Sequence, residues 1–448
     1  VSTETPSSTE PPRGRVRGLL GKVVIDTRPL RIRDYRRLWV STVVTAVGSQ
    51  LTAVAVPKQV YDLTGSSGYV GLTGAVGLVP LLVFGLWGGA IADAIDRRKV
   101  MLYSNLGVAV TSGLLWLQAF TGLKSVAVVL VLLGLQQAFV AVNMPARSAA
   151  VARVVPPELL PPANALSFTT FTFGMVFGPL MAGALIPVLG LSTLYLIDTV
   201  ALFVAFTSVW FLPPIAPGAG SSRTAGLRDI ADGFRYLSLK KLLLVSFLVD
   251  IIAMVAGMPR ALFPEMAERT FGDPPGGGVA LGWLYAAIPI GSAVFGLFSG
   301  AFARIRRQGA VITMSIIGWG LAMAAFGLTG SLTLAVVFLA IGGGADLISA
   351  VHRSSMLQTE ATDEMRGRMQ GVFTVVVAGG PRIADLAHGW GAAAFGTAAA
   401  ATVGGLLVIV LTVATVAWVP SFWRFRFEPK PEPEPAETST SPAANTQS

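Results

Sequence analysis

Apolar runs of about 20 residues, recurring from residue 38 to residue 420, constrain this chain more than any other feature it carries. A helix that crosses a bilayer needs about 20 mostly apolar residues, and lipid leaves no water to satisfy an open strand edge, so such runs must be helices. Twelve are expected, at approximately 38–60, 69–92, 100–121, 125–146, 164–187, 191–212, 242–263, 279–303, 309–328, 331–355, 367–389 and 393–420. The expected fold class is therefore all-α and integral to the membrane. Only 13% of residues are charged, about half the ~25% of a soluble chain. Cysteine is absent, which excludes disulfides, zinc–thiolate sites, iron–sulfur clusters and cysteine nucleophiles. The two histidines, His352 and His388, are not spaced as a metal or nucleophile-activating set. No Gly-x-x-x-x-Gly-Lys-Ser/Thr loop occurs, so the chain is not expected to hydrolyse ATP. No enzyme, metal or cofactor is expected.

The spacing of the runs divides the chain. Connections are short except for residues 213–241, so the expected organisation is an N-terminal tail (1–37), six helices (38–212), a linker (213–241), six more helices (242–421) and a tail (422–448). The last segment, EPKPEPEPAETSTSPAANTQS, has little to bury and reads as disordered. Within the linker, Leu227, Ile230, Phe234 and Leu237 repeat at helical spacing, with Arg228, Asp229, Asp232 and Arg235 between them. That is the pattern of an amphipathic helix on the inner membrane surface. The net charge of +9 is a topology signal and not a nucleic-acid groove. With the amino terminus inside, 28 of the 33 Lys and Arg fall in cytoplasmic segments, the bias that sets membrane orientation. Both termini are expected in the cytoplasm and the protein in the cell membrane.

Seven stretches carry motifs. Between the second and third helices lies Gly89-Ala-Ile-Ala-Asp93-Ala-Ile-Asp96-Arg97-Arg98-Lys99. A carboxylate at such a helix end can cap a facing amino terminus, in one rocking state and not the other; the plainer reading is a basic inside loop. Gly89, Asp93, Arg97 and Arg98 resemble the cytoplasmic loop signature of the major facilitator superfamily, with Ala94 where that family usually has Arg. Its second-half counterpart near Arg304, Arg306 and Arg307 keeps only basic character. The fifth run contains Gly174, Gly178, Pro179 and Gly183, similar to the glycine–proline element of exporters in that superfamily. Small residues there also serve generic close packing. Val54-Ala-Val-Pro57-Lys-Gln59, Asn143-Met-Pro145-Ala-Arg147, Gly282 to Gly291 and Leu357 to Arg368 resemble, in order and spacing, the subgroup of enterobactin exporters and related drug:proton antiporters. The resemblance implies twelve transmembrane helices in two six-helix bundles.

Ionisable residues at bilayer depth are costly and are functional candidates. Asp198, Asp385 and Asp250 are the proton-coupling candidates; for each, a structural hydrogen bond or ion pair is the competing reading. Arg382 and Asp385 sit at i, i+3, within reach of each other. Gln136, Asn143 and Arg147 share a face of the fourth helix, and with Gln50 and Gln118 they are candidates to line a water-filled cavity. Arg147 would attract an anionic substrate, and Phe168, Phe171, Phe173 and Phe177 would stack on rings or face lipid. The function expected is export of a small molecule, siderophore-like by resemblance, driven by proton influx. A broad-specificity multidrug:proton antiporter is the alternative, and a receptor or scaffold without transport the third. Partners are then the substrate, protons and the bilayer, without nucleic acid, for a monomer.

Overall fold

A computed structural model describes residues 26–215, 227–302 and 305–426. Every regular element among them is helical. The first helices are α1 (Arg33–Thr64), α2 (Ser67–Ala94), α3 (Arg97–Phe120) and α4 (Val126–Val154). The next helical stretch, Leu160–Trp210, is 51 residues long, but Gly190 adopts φ 75° and ψ 164° within it. Only glycine takes that conformation readily, so the stretch divides into α5 (160–189) and α6 (191–210). There follow α7 (Leu227–Leu239), α8 (Lys241–Gly257), α9 (Phe263–Arg269), α10 (Val279–Leu297), α11 (Gln308–Leu328), α12 (Leu332–Glu360), α13 (Asp363–Phe395) and α14 (Thr397–Trp418).

Among the described residues, ten helices are long and apolar enough to cross a membrane, with Leu160–Trp210 as one of the ten. The twelve crossings expected above therefore reduce to ten on this criterion. Besides the uncounted break at Gly190, α13 is 33 residues long yet is not among the ten, and Arg382 and Asp385 dilute its apolar character. Several boundaries also differ, α4 running on to Val154 and α13 to Phe395, past the expected 146 and 389. The seventh run ends at Gly257 and not near 263, because Met258 is extended (φ −108°, ψ 96°) ahead of Pro259, as the clash with a following proline ring requires. The eighth breaks after Leu297 and not near 303.

The linker helix α7 is docked and not free. A Cβ added at Gly233 would lie 2.7 Å from Val372 of α13, Leu237 is buried, and Asp232 pairs with Arg368 of α13 at 3.3 Å. Phe234 and Leu239 face outward. The side chains of Leu227, Arg228, Asp229 and Ile230, the tail up to residue 25 and the tail from residue 427 lie outside the described residues.

Glycines decide how helices α1–α6 meet helices α8–α14. Gly71 of α2 and Gly389 of α13 face each other, so a Cβ at Gly389 would lie 2.8 Å from the Gly71 Cα. Gly183 of α5 and Gly282 of α10 do the same at 2.7 Å. These close approaches, together with Gly68 against Ala393, lie in the halves of the helices nearest α9. Farther along α2, a Cβ at Gly85 would meet nothing within 4 Å. The two sets of helices are thus in close contact at the α9 end.

Candidate transport pathway and gates

Polar side chains inside helices α1–α6 are held mainly by neutral groups. Asp198 of α6 is buried, and its Oδ2 accepts hydrogen bonds from Thr52 of α1 at 2.7 Å and Ser112 of α3 at 2.6 Å. Its Oδ1 has no hydrogen-bond partner and lies against Gly48, where a Cβ would come within 2.4 Å. One turn away, the Tyr195 hydroxyl donates to Gln59 at 2.8 Å, and Gln59 donates to Gln118 at 2.8 Å. Gln118 in turn donates to the Leu123 carbonyl. Gln118 is thus a member of an interhelical chain.

The stripe on α4 assembles a second group. Asn143 donates to Asn105 of α3 at 2.7 Å. The Arg147 guanidinium donates to Thr42 at 2.7 Å, to Ser41 at 3.3 Å and to Asn143 at 3.4 Å. No carboxylate among the described residues pairs with it. Gln136 is buried, and Gln50 is half-buried against Gly178, where a Cβ would lie 2.3 Å from the Gln50 Cβ. The glycine–proline element therefore serves two interfaces. Gly174, which faces Ala46 of α1, and Gly178 admit α1, while the Pro179 carbonyl and Gly183 face Gly282 of α10.

Helices α8–α14 hold acids and arginines together. Asp250 of α8 and Arg353 of α12, both buried, form an ion pair, and Arg353 also lies 3.9 Å from Asp346. Residue spacing did not suggest the first of these partners, because α8 and α12 are far apart in the chain. On α13, Arg382 donates to Gln137 of α4 at 3.1 Å and lies against Gly77 of α2. It reaches across to the other set of helices and forms no ion pair with Asp385 among the described residues. Asp385 Oδ1 is buried without a hydrogen-bond partner, close to Gly74. His388 contacts Gly404 and the Ala384 carbonyl at 3.1 Å.

At the α7 end, the basic loop is tied down residue by residue. Asp96 caps α3, accepting from Arg98 N at 2.9 Å and from Ile215 N at 3.1 Å. Arg97 reaches the Ala149 carbonyl of α4 at 3.5 Å. Arg98 and Arg37 donate to the last carbonyls of the α6 segment, Trp210 and Phe211, where the helix dipole favours cations. The sequence reading did not single out the Asp96 cap; its signal was an acid one residue before a basic helix start. Beyond their helical backbone, Gly89 and Asp93 lie outside the described residues.

Helix α9 closes the opposite end. Lys58 of α1, with no solvent exposure, pairs with Asp62 and, at 2.8 Å, with Glu268 of α9. Ser67, at the start of α2, donates to Glu265 at 2.6 Å. The described residues contain no group of His, Cys, Asp and Glu that could hold a metal.

A helical membrane body, small-residue seams and a polar interior are what a secondary transporter requires, and comparison with known proteins specifies which. The model of the family described as "Transmembrane secretion effector" matches residues 26–435. The enterobactin exporters EntS of Shigella boydii and Escherichia coli are each 32% identical over 404 residues, covering 87% of this chain and 92% of theirs. Among solved structures, the nucleoside transporter NupG superposes with a TM-score of 0.67 at 14% identity, covering 87% of this chain and 98% of that one. A bacterial homologue of the human lysosomal transporter Spinster, in an inward-facing conformation, gives 0.68 at 15%, covering 90% of this chain and 100% of that one. The chain belongs to the transmembrane secretion effector family, in the major facilitator fold, and is a transporter related to the enterobactin exporters and not an enzyme.

Proposed function

We propose that this protein exports a small, anionic or amphiphilic molecule of siderophore type from the cytoplasm by alternating access, driven by proton influx. The observation that carries the anionic preference is Arg147, whose guanidinium is held by Thr42, Ser41 and Asn143 and, among the described residues, by no carboxylate. A cation so placed keeps its charge available to a ligand such as a catecholate, because the three groups that hold it are neutral. Export of enterobactin by relatives of similar length supports the substrate class. The stacked Phe173 and Phe177, 4.1 Å between centroids, support the wider alternative of aromatic, drug-like cargo.

The reading takes the protein as twelve crossings in two six-helix bundles, 38–212 and 242–421. The ten apolar helices, the break at Gly190 and the length of α13 support that count. Both termini are placed in the cytoplasm, on the basic-residue bias alone, so the α7 end faces in and the α9 end faces out. Asp198, Asp385 and Asp250 are the groups proposed to carry protons, and Gly89, Asp93, Arg97 and Arg98 the inner gate.

Uptake of a catecholate siderophore into inverted membrane vesicles, energised by an acidic lumen, tests this. Uptake that collapses with nigericin, and that ethidium competes for weakly, is the expected result. Uptake indifferent to the proton gradient would overturn the coupling, and preferential uptake of ethidium would favour the drug-like range.

A further inference from the structure

The best-built contact between the two sets of helices lies at the end closed by α9, away from the inner-gate motif. Lys58 is a lysine whose whole side chain is shielded from solvent, with two carboxylate partners. Asp62 stands one turn along the same helix, while Glu268 belongs to α9, 210 positions away, with Oε2 2.8 Å from the ammonium. The Tyr61 ring lies 5.4 Å from the same nitrogen. Beside this pair, Glu265 of α9 accepts from Ser67 of α2 at 2.6 Å and from Arg269 at 2.9 Å, and Arg269 lies over Tyr61 at 6.0 Å. One face of α9 therefore clamps both α1 and α2.

The two carboxylates are not equivalent. A buried ammonium stranded without a counter-charge is costly, and an ordinary cross-helix ion pair would resist opening for that reason. Here Asp62 travels with Lys58 whatever the other helices do, and only Glu268 leaves. We propose that Lys58 and Glu268 are the latch of the outer gate in the transport cycle, and that Asp62 is the standby partner that lets the latch open. The outer assignment rests on the orientation proposed above; the latch itself does not.

The chain contains no cysteine, so reporters can be placed in the native background. A Cβ at Gly68 would lie 3.5 Å from the Ala393 Cβ, within disulfide geometry. The full-length protein carrying Gly68→Cys and Ala393→Cys, reconstituted in liposomes without substrate, is treated either with copper phenanthroline or with an impermeant maleimide. Glu268→Gln and Lys58→Met should lower cross-linking and raise maleimide labelling about fivefold, the low end of a single coupling contact. Asp62→Asn should do the reverse, since it removes the standby partner and favours the closed state. The exchange of Lys58→Glu with Glu268→Lys should restore cross-linking. A purely structural pair would give lower thermal midpoints for all three single variants with labelling unchanged, or with all three shifted the same way; either result overturns the proposal. With the maleimide treatment repeated on right-side-out and on inverted membrane vesicles, labelling confined to the inverted ones would reverse the orientation and leave the latch standing.

Discussion

Two interior clusters, one on each side of the molecule, handle buried charge in opposite ways. In helices α1–α6, Asp198 and Arg147 are met by hydroxyls and amides. In helices α8–α14, Asp250 is met by Arg353, with Asp346 nearby. A carboxyl held by two hydroxyls can change its protonation state without stranding a counter-ion, and a guanidinium so held can still attract an anion. A paired carboxylate and guanidinium are each committed to the other, and removing one leaves the other uncompensated. The difference ranks Asp198 ahead of Asp250 for proton exchange, since Asp250 can take up a proton only by leaving Arg353 uncompensated.

That contrast can be broken experimentally. The largest expected effect is at Asp198. Asp198→Asn should abolish gradient-driven uptake into inverted vesicles while substrate binding persists and the fold loses only about 1 kcal/mol, since an amide oxygen still accepts from Thr52 and Ser112. Full uptake by this variant would remove Asp198 from proton coupling. Next comes Arg353→Gln, expected to cost about 3–5 kcal/mol by leaving Asp250 buried and unpaired. Thermal midpoints in detergent would read this, and Arg353→Gln combined with Asp250→Asn should recover much of the loss. A single variant as stable as the parent would mean the pair does not brace the fold. Arg147→Ala sharpens the comparison from the ligand side. It should weaken a catecholate about tenfold, or ~1.4 kcal/mol, in equilibrium binding and leave a neutral ligand unchanged; equal losses would make Arg147 structural. Smallest in function is Gly183→Ala, which should leave ligand preference unchanged while its Cβ, pressed on the Gly282 backbone, costs about 1–3 kcal/mol of stability by thermal midpoint.

Much of the helical framework was legible before any coordinates. The runs from residue 38 to residue 420 gave helices because lipid permits little else, and the amphipathic repeat in 227–239 emerged as α7. The glycines of the fifth helix were also visible, though not their division of labour, since spacing cannot say that Gly178 faces α1 while Gly183 faces α10. Boundaries failed where chemistry is local. Pro259 halted α8 early, and a charged α13 fell short of the apolarity of its neighbours. Lys58 could be seen as a charge within the first helix, but its partner Glu268 was unreadable, because the two lie in separate helices that share no periodicity.

Sequence alone determined that this chain lives in a membrane as helices, and which ionisable residues lie at depth, because the cost of exposing backbone and charge to hydrocarbon is a property of each segment by itself. Tertiary structure decided which of those residues meet a counter-ion and which meet a hydroxyl, and where the two sets of helices touch. Those outcomes depend on distances between segments far apart in the chain, set by glycine-to-glycine seams such as Gly71 with Gly389, and no local pattern encodes them.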